Sequence, residues 1–281
     1  MFQINWKLKA ILYKLFSFIK LKRTFYFIQK HITKRSRINI TEINKLWVFH
    51  SDAIKDSKSK KILEVGAGKS LEQNIYLSYK FGSKIDQTAI DINNMLDFKL
   101  FNDANAQISN ILKLKNKGEV NNVSDIKVKY NISYKAPFNI KEFEPNEKFD
   151  ICISTTALEH FNILDLQNYL SDLKKVLNDN GLVSSLIDYS DHYSHTDKNI
   201  DSLNFLSYSK NDWEKYNNSY LYQNRLRHQD YKKLFIDQGY KILKIIKGEA
   251  TSPNKKISNE FDISNDETFL NWAYFLTKKT N

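Results

Sequence analysis

A chain of 281 residues, 41% of them hydrophobic, can bury a sizeable core and suits one large domain with additions or two small ones. A single cysteine, Cys152, excludes an internal disulfide and points to a reducing, cytoplasmic setting; nothing has the layout of a cleavable signal peptide or of a bilayer-spanning apolar run. The net charge of +11 is local: residues 1–41 carry ten Lys/Arg and no acid, while the other 33 Lys/Arg face 32 Asp/Glu, so the body is nearly neutral.

Residues 1–36 mix apolar side chains (Trp6, Leu8, Ile11, Leu12, Leu15, Phe16) with lysines at helical spacing and a wide apolar arc. Two readings stay open: a helix lying on an anionic membrane surface, or one packed on the body or a second copy. A nucleic-acid arm is a third, lesser one. Residues 1–45 form a basic amphipathic extension in this reading, and 46–281 the main domain. A helix over Thr41–Ile54 is expected, capped by Thr41.

Lys61–Val65 reads as a buried strand that stops at Gly66-Ala67-Gly68, and a helix over Leu71–Phe81 follows, with Ser70 as its cap. A strand, a glycine turn and a helix N-terminus make a cofactor pocket. A phosphate-binding P-loop would need glycine where Leu63 stands, and the dinucleotide fingerprint would need glycine where Leu71 stands. With Glu64 two residues before Gly66, the stretch resembles the first motif of class I S-adenosylmethionine-dependent methyltransferases. A second strand over Lys84–Asp91 puts Asp91 23 residues after Gly68, near the spacing of a ribose-binding acid, with Ile92 beside it.

Further along, a helix within 102–123 and a third strand over Asp125–Ile132 are expected. Ser133–Pro137 then lies where the family contacts adenine, without an acid of its own. Phe149–Ser154 reads as a fourth strand, ending at Ser154. The Leu158-Glu159-His160 that follows resembles the family's fourth motif; His160 reads as structural, bonded to a backbone carbonyl near the cofactor, with a catalytic base as the other reading. A helix over Asp165–Leu177 and a fifth strand over Gly181–Asp188 lead into Asp188-Tyr189-Ser190-Asp191-His192-Tyr193-Ser194-His195. An acceptor-binding insertion at about 189–227 carries Trp213, Tyr216, Tyr220 and Tyr222 as a lid. A helix over His228–Gln238, a sixth strand over Tyr240–Lys247 and a seventh over Thr268–Lys278 complete the chain; the resemblance implies that the last runs antiparallel at the sheet edge.

The fold class implied is α/β: a Rossmann-like seven-stranded class I methyltransferase sheet with helices on both faces. The resemblance implies S-adenosyl-L-methionine as cofactor, held by Glu64, Gly66, Ala67, Gly68, Asp91, Ile92 and Ser154. Methylating a hydroxyl needs a base, and His192 and His195 are the candidates, with Asp191 or Asp188 to hold the ring tautomer. Tyr189, Arg225 and Arg227 are candidates for acceptor binding. Asp188, Asp191, His192 and His195 match no metal-ligand spacing, and no metal is assigned. The chain lacks the prolines that follow the fourth strand in base-methylating enzymes, so nucleic acid is not the expected partner. Leu203–Leu206 and Asn224–Arg227 resemble methyltransferases of bacterial surface-glycan assembly. That implies O-methylation of a sugar hydroxyl on a glycan or its lipid-linked precursor, at the inner face of the cytoplasmic membrane. The rivals are a methyltransferase of another small molecule or of RNA, and a membrane-associated scaffold without turnover.

Overall fold

The computed structural model describes residues 5–18, 38–56 and 61–280. The part of the basic segment at 19–37 lies outside the described residues.

Seven strands form one sheet in the order β3-β2-β1-β4-β5-β7-β6. They are β1 (Lys61–Val65), β2 (Asp86–Ile90), β3 (Ile132–Lys135), β4 (Phe149–Thr155), β5 (Leu177–Asp188), β6 (Tyr240–Lys247) and β7 (Trp272–Lys279). β1 to β5 run parallel, and β7 runs antiparallel to both β5 and β6. The expectation of a seventh strand at the edge is therefore corrected. β7 slots between β5 and β6, and β6 is the edge on that side, as its lysines Lys241, Lys244 and Lys247 suit. The chain order reverses between β1 and β4, and a parallel sheet opens a crevice at such a point, beyond the carboxyl ends of the strands.

The helices are α1 (Trp6–Phe18), α2 (Lys45–Asp56), α3 (Glu72–Phe81), α4 (Phe98–Leu112), α5 (Val123–Tyr130), α6 (Ile163–Val176), the short α7 (Lys210–Trp213) and α8 (His228–Asp237). One face of the sheet buries α6 and α8 through Leu166, Leu170, Leu173, Tyr231 and Phe235. The other buries α2 to α5 through Trp47, Ile75, Phe101, Ile108 and Tyr130. Helices on both faces explain why β1 and β4 are near-continuous apolar runs.

Three local expectations are corrected. The alternation in Asp125–Ile132 imitates a strand, yet the segment is α5. Asn122 caps it by accepting from the Asp125 N–H, and Ile126 and Tyr130, one turn apart, are buried while Val128 is 83% exposed. α2 starts at Lys45 rather than Thr41, with Asn44 Oδ1 accepting from the Leu46 N–H. Ser70 does not cap α3; its hydroxyl donates to Glu72 Oε1, and the helix enters from Leu71 at φ 52°.

A third apolar cluster lies outside the two sheet faces and joins the chain's start to the insertion. Trp6 and Ala10 of α1 are buried with Tyr193, Leu203, Phe205, Leu206 and Trp213. Trp6 lies within 6 Å of the rings of Tyr193, Tyr208, Trp213 and Tyr216, with the closest centroid at 4.8 Å. Its backbone N–H donates to Asp197 Oδ2 at 2.9 Å. α1 is thus stitched to the insertion. Its opposite side shows Leu8, Ile11, Leu12 and Leu15, an i, i+3, i+4, i+7 stripe that stays exposed.

Candidate active site

The glycine turn after β1 is tied to the end of β2: the N–H groups of Gly66 and Ala67 both donate to the Ile90 carbonyl, at 3.1 and 3.2 Å. Gly66 has φ 84° and Gly68 φ 70°, conformations that disfavour side chains. A Cβ on Gly66 would stand 2.6 Å from the Ala157 Cβ, so the loops after β1 and β4 meet there; a Cβ on Gly68 would meet nothing within 4 Å. The turn is closed on one side and open on the other, as a ligand cradle requires.

Asp91, at the tip of β2, turns into this cradle. Its Oδ2 accepts from the Gly68 N–H at 3.1 Å and its Oδ1 from the Asn93 N–H at 2.9 Å. Ile92 beside it is exposed. Glu64 is 5% exposed; Oε1 accepts weakly from Gln73 Nε2 at 3.4 Å, and Oε2 makes no hydrogen bond of good geometry among the described residues. Burial, together with the nearby Asp91 charge, pushes its carboxyl up to about 8. Ser154 Oγ, at the end of β4, is also buried, without a hydrogen-bond partner among the described residues.

Sequence reasoning missed a polar chain behind this cradle. Gln73 Oε1 accepts from Thr155 Oγ1 at 2.6 Å, and Thr155 Oγ1 lies 3.1 Å from His50 Nε2. His50 Nδ1 is 2.8 Å from Ser184 Oγ, which is 2.8 Å from the Tyr274 hydroxyl. Burial drives the His50 imidazole down to about 3, so it is neutral and ties α2 to β4 and β5. A lone histidine in a helix carries no signal of this in sequence.

The second half of the site stands at the ends of β4 and β5. After Thr156 (φ 47°) and Ala157, the tight turn Leu158–His160 buries Glu159 to 1% exposure, and neither carboxylate oxygen makes a hydrogen bond of good geometry among the described residues. Burial, with the Asp188 charge adding to it, pushes the Glu159 carboxyl well up. His160 Nδ1 lies 2.6 Å from the Tyr222 carbonyl, and its ring meets that of His192 at 5.1 Å between centroids. His192 Nε2 is 3.3 Å from Asp188 Oδ2, and His195 stacks on His192 at 5.3 Å. Asp188 Oδ1 accepts from the Ser190 N–H and hydroxyl. Burial would raise the Asp188 carboxyl, but hydrogen bonds from His192 and Ser190 outweigh it and hold it low.

The other candidate residues fall elsewhere. Asp191 does not bond the His192 ring: it is fully buried, accepting from the Tyr193 N–H and from Asn204 Nδ2 at 2.8 Å each, and so it shapes the loop. Asp188 is the acid at His192. Arg227 is a buried strut rather than an acceptor clamp. Its guanidinium donates to the carbonyls of Thr268, Tyr189 and Leu270 at 2.8, 2.7 and 2.6 Å. Arg225 donates to the carbonyls of Phe205 and Tyr208 and pairs with Glu260 at 3.4 Å. Tyr189 is core, stacked on Tyr231 at 5.5 Å under Arg227. Trp213 and Tyr216 of the insertion pack on each other and on Trp6 instead of facing the crevice as a sugar platform.

No protein-family model matches the sequence, and no curated protein matches it. Solved structures do. An S-adenosylmethionine-dependent methyltransferase from Clostridium acetobutylicum aligns at 13% identity over 93% of this chain and 99% of its own, with a TM-score of 0.47. The Burkholderia thailandensis 1,6-didemethyltoxoflavin-N1-methyltransferase aligns at 11% identity over 100% and 92%, TM-score 0.49. The CurJ carbon methyltransferase aligns at 10% identity over 98% of this chain and 67% of its own, TM-score 0.50. At such identities the likeness concerns architecture, and it agrees with the strand order: the chain has the Rossmann-like fold of the class I methyltransferases.

Proposed function

We propose that the protein is an S-adenosylmethionine-dependent O-methyltransferase whose acceptor is a sugar hydroxyl of a surface glycan or its lipid-linked precursor. The observation that carries the cofactor reading is the cradle of Gly66, Ala67 and Gly68 with the Asp91 carboxylate turned into it. The residues fit the group: Glu64 Oε2 is a buried carboxyl oxygen with no hydrogen-bond partner among the described residues, which a cationic ligand would draw into its charged form, and Asp91 can accept from ribose hydroxyls. Ile92, exposed beside Asp91, offers an apolar face to a base, and Ser154 Oγ an unused hydroxyl. When bound, the cofactor supplies an electrophilic methyl group for in-line displacement.

The chain's own part is to orient an acceptor, exclude water and take a proton. His192 and His195, backed by Asp188, stand at the ends of β4 and β5 where that acceptor would lie. Arg225, Arg227, Tyr189 and Asp191 support the walls rather than the acceptor itself. The membrane part of the reading rests on α1. Its inner side is glued to the insertion, and its outer stripe of Leu8, Ile11, Leu12 and Leu15 sits in the segment that holds ten Lys/Arg without an acid. An apolar stripe flanked by cations suits an anionic interface and would bring the insertion to a lipid-linked substrate.

Titration calorimetry with S-adenosylhomocysteine tests the cofactor reading. Binding to the wild type and a loss of about tenfold or more in Asp91→Ala is the expected result. Absence of binding to the wild type would leave a scaffold of methyltransferase fold as the better account.

A further inference from the structure

We infer that Glu159, His160 and His192 form a binding site for a first-row divalent metal ion beside the acceptor position. One ligand atom from each of the three lies within 4.8 Å of the others. Two imidazoles and one carboxylate are donors that zinc, manganese and ferrous iron accept, and three protein ligands leave coordination positions open.

The independent observation is the state of Glu159. The residue is 1% exposed, and neither carboxylate oxygen makes a hydrogen bond of good geometry among the described residues, the backbone N–H groups of Glu159 and Asp188 being the donors nearby. A buried carboxylate without a partner is costly, and a cation between it and the imidazoles removes that cost. The surroundings are those of a ligand set held in place. The Tyr222 carbonyl at 2.6 Å from His160 Nδ1 keeps the proton on that nitrogen and turns Nε2 outward as an electron-pair donor. Asp188 at 3.3 Å orients the His192 ring, and is itself fixed by the Ser190 N–H and hydroxyl. The Glu159 backbone is pinned as well, its carbonyl accepting from the Asn224 N–H at 2.8 Å.

This inference rests on the methyltransferase reading for its purpose. A cation with open positions would take the acceptor oxygen and make its proton easier to lose. His192 then serves as a ligand, and His195, stacked on it at 5.3 Å, is the group that takes the acceptor's proton. The spacing of the residues hides the site in sequence, because the third ligand comes 32 residues after the second and from a different strand end.

The test is calorimetric titration of Zn2+, and separately of Mn2+, into the metal-stripped full chain, with no cofactor or acceptor added. Optical spectra of the Co2+-loaded protein report nitrogen ligation. We expect one site per chain for at least one of the two ions. Affinity should fall about tenfold or more in His192→Ala and in Glu159→Gln, and the Co2+ bands should shift in His192→Ala. S-adenosylhomocysteine binding, measured on the same preparations, should persist in His192→Ala, which shows folding and separates this inference from the cofactor reading. Neither ion binding to the wild type, or binding that both variants retain unchanged, overturns it.

Discussion

Replacing Glu64 with glutamine should stabilise the protein without ligands, and by more as the pH rises. The Glu64 carboxyl is buried, with one oxygen unpaired and Asp91 nearby, and its folded-state value is up at about 8 against 4.5 in a free chain. A carboxyl raised in this way keeps its proton in the native state after the unfolded chain has lost it. The penalty is therefore absent below about pH 4.5 and grows until the pH passes the folded value near 8. Worked through the two titrations, the cost to the wild type is about 1 kcal/mol at pH 5 and about 4 kcal/mol at pH 8. Glutamine has the same shape and no charge; any cost of seating its amide is equal at both pH values and cancels in the comparison. Thermal unfolding of wild type and Glu64→Gln at pH 5 and pH 8 reads the effect. At about 2–4 °C per kcal/mol for a chain of this size, the gap between the two should widen by several degrees from the lower to the higher pH. A gap of the same size at both pH values would mean that Glu64 is ionised and paired in the native protein, and the reasoning from its orphaned oxygen would be refuted.

Gly66→Ala places a Cβ 2.6 Å from that of Ala157 at a φ of 84°, so it should cost about 1–3 kcal/mol in stability and weaken S-adenosylhomocysteine binding; adding Ala157→Gly should relieve the contact but not the backbone strain, and full recovery in that pair would contradict the φ argument. Arg227→Ala leaves three buried carbonyls without their donor and should lower stability by about 3–5 kcal/mol, with Arg227→Lys recovering only part; unaltered unfolding in Arg227→Ala would return this residue to the acceptor site. Changing Leu8, Ile11, Leu12 and Leu15 together to serine removes the exposed stripe of α1 without touching Trp6 or Ala10. Flotation with anionic liposomes should fall relative to the wild type, while near-ultraviolet circular dichroism stays as it was; equal flotation speaks for another role of the stripe.

Much of this protein is written in short stretches. The buried runs Ile62–Val65 and Phe149–Ser154, the glycine turn, and Asp91 at the tip of the next strand are local patterns, because hydrophobic continuity, φ above zero and strand ends depend on near neighbours. The fold class followed from their order, and that order is visible along the chain. Local pattern misled where two periods overlap: the alternating Asp125–Ile132 is a helix because Asn122 caps it and its turn-spaced Ile126 and Tyr130 reach the core. Pairing across the sheet lay beyond reach too, since the place of β7 depends on which strand finds a partner and not on its own composition.

The roles of charged side chains were decided in three dimensions alone. Arg227, Asp191 and His192 look equally free on a polar stretch of sequence. Folding spends the arginine on three carbonyls, buries Asp191 in its own loop, and carries His192 from the end of β5 to Glu159 and His160 at the end of β4. Desolvation and long-range proximity set what an ionisable group does, and neither exists until the strands are side by side.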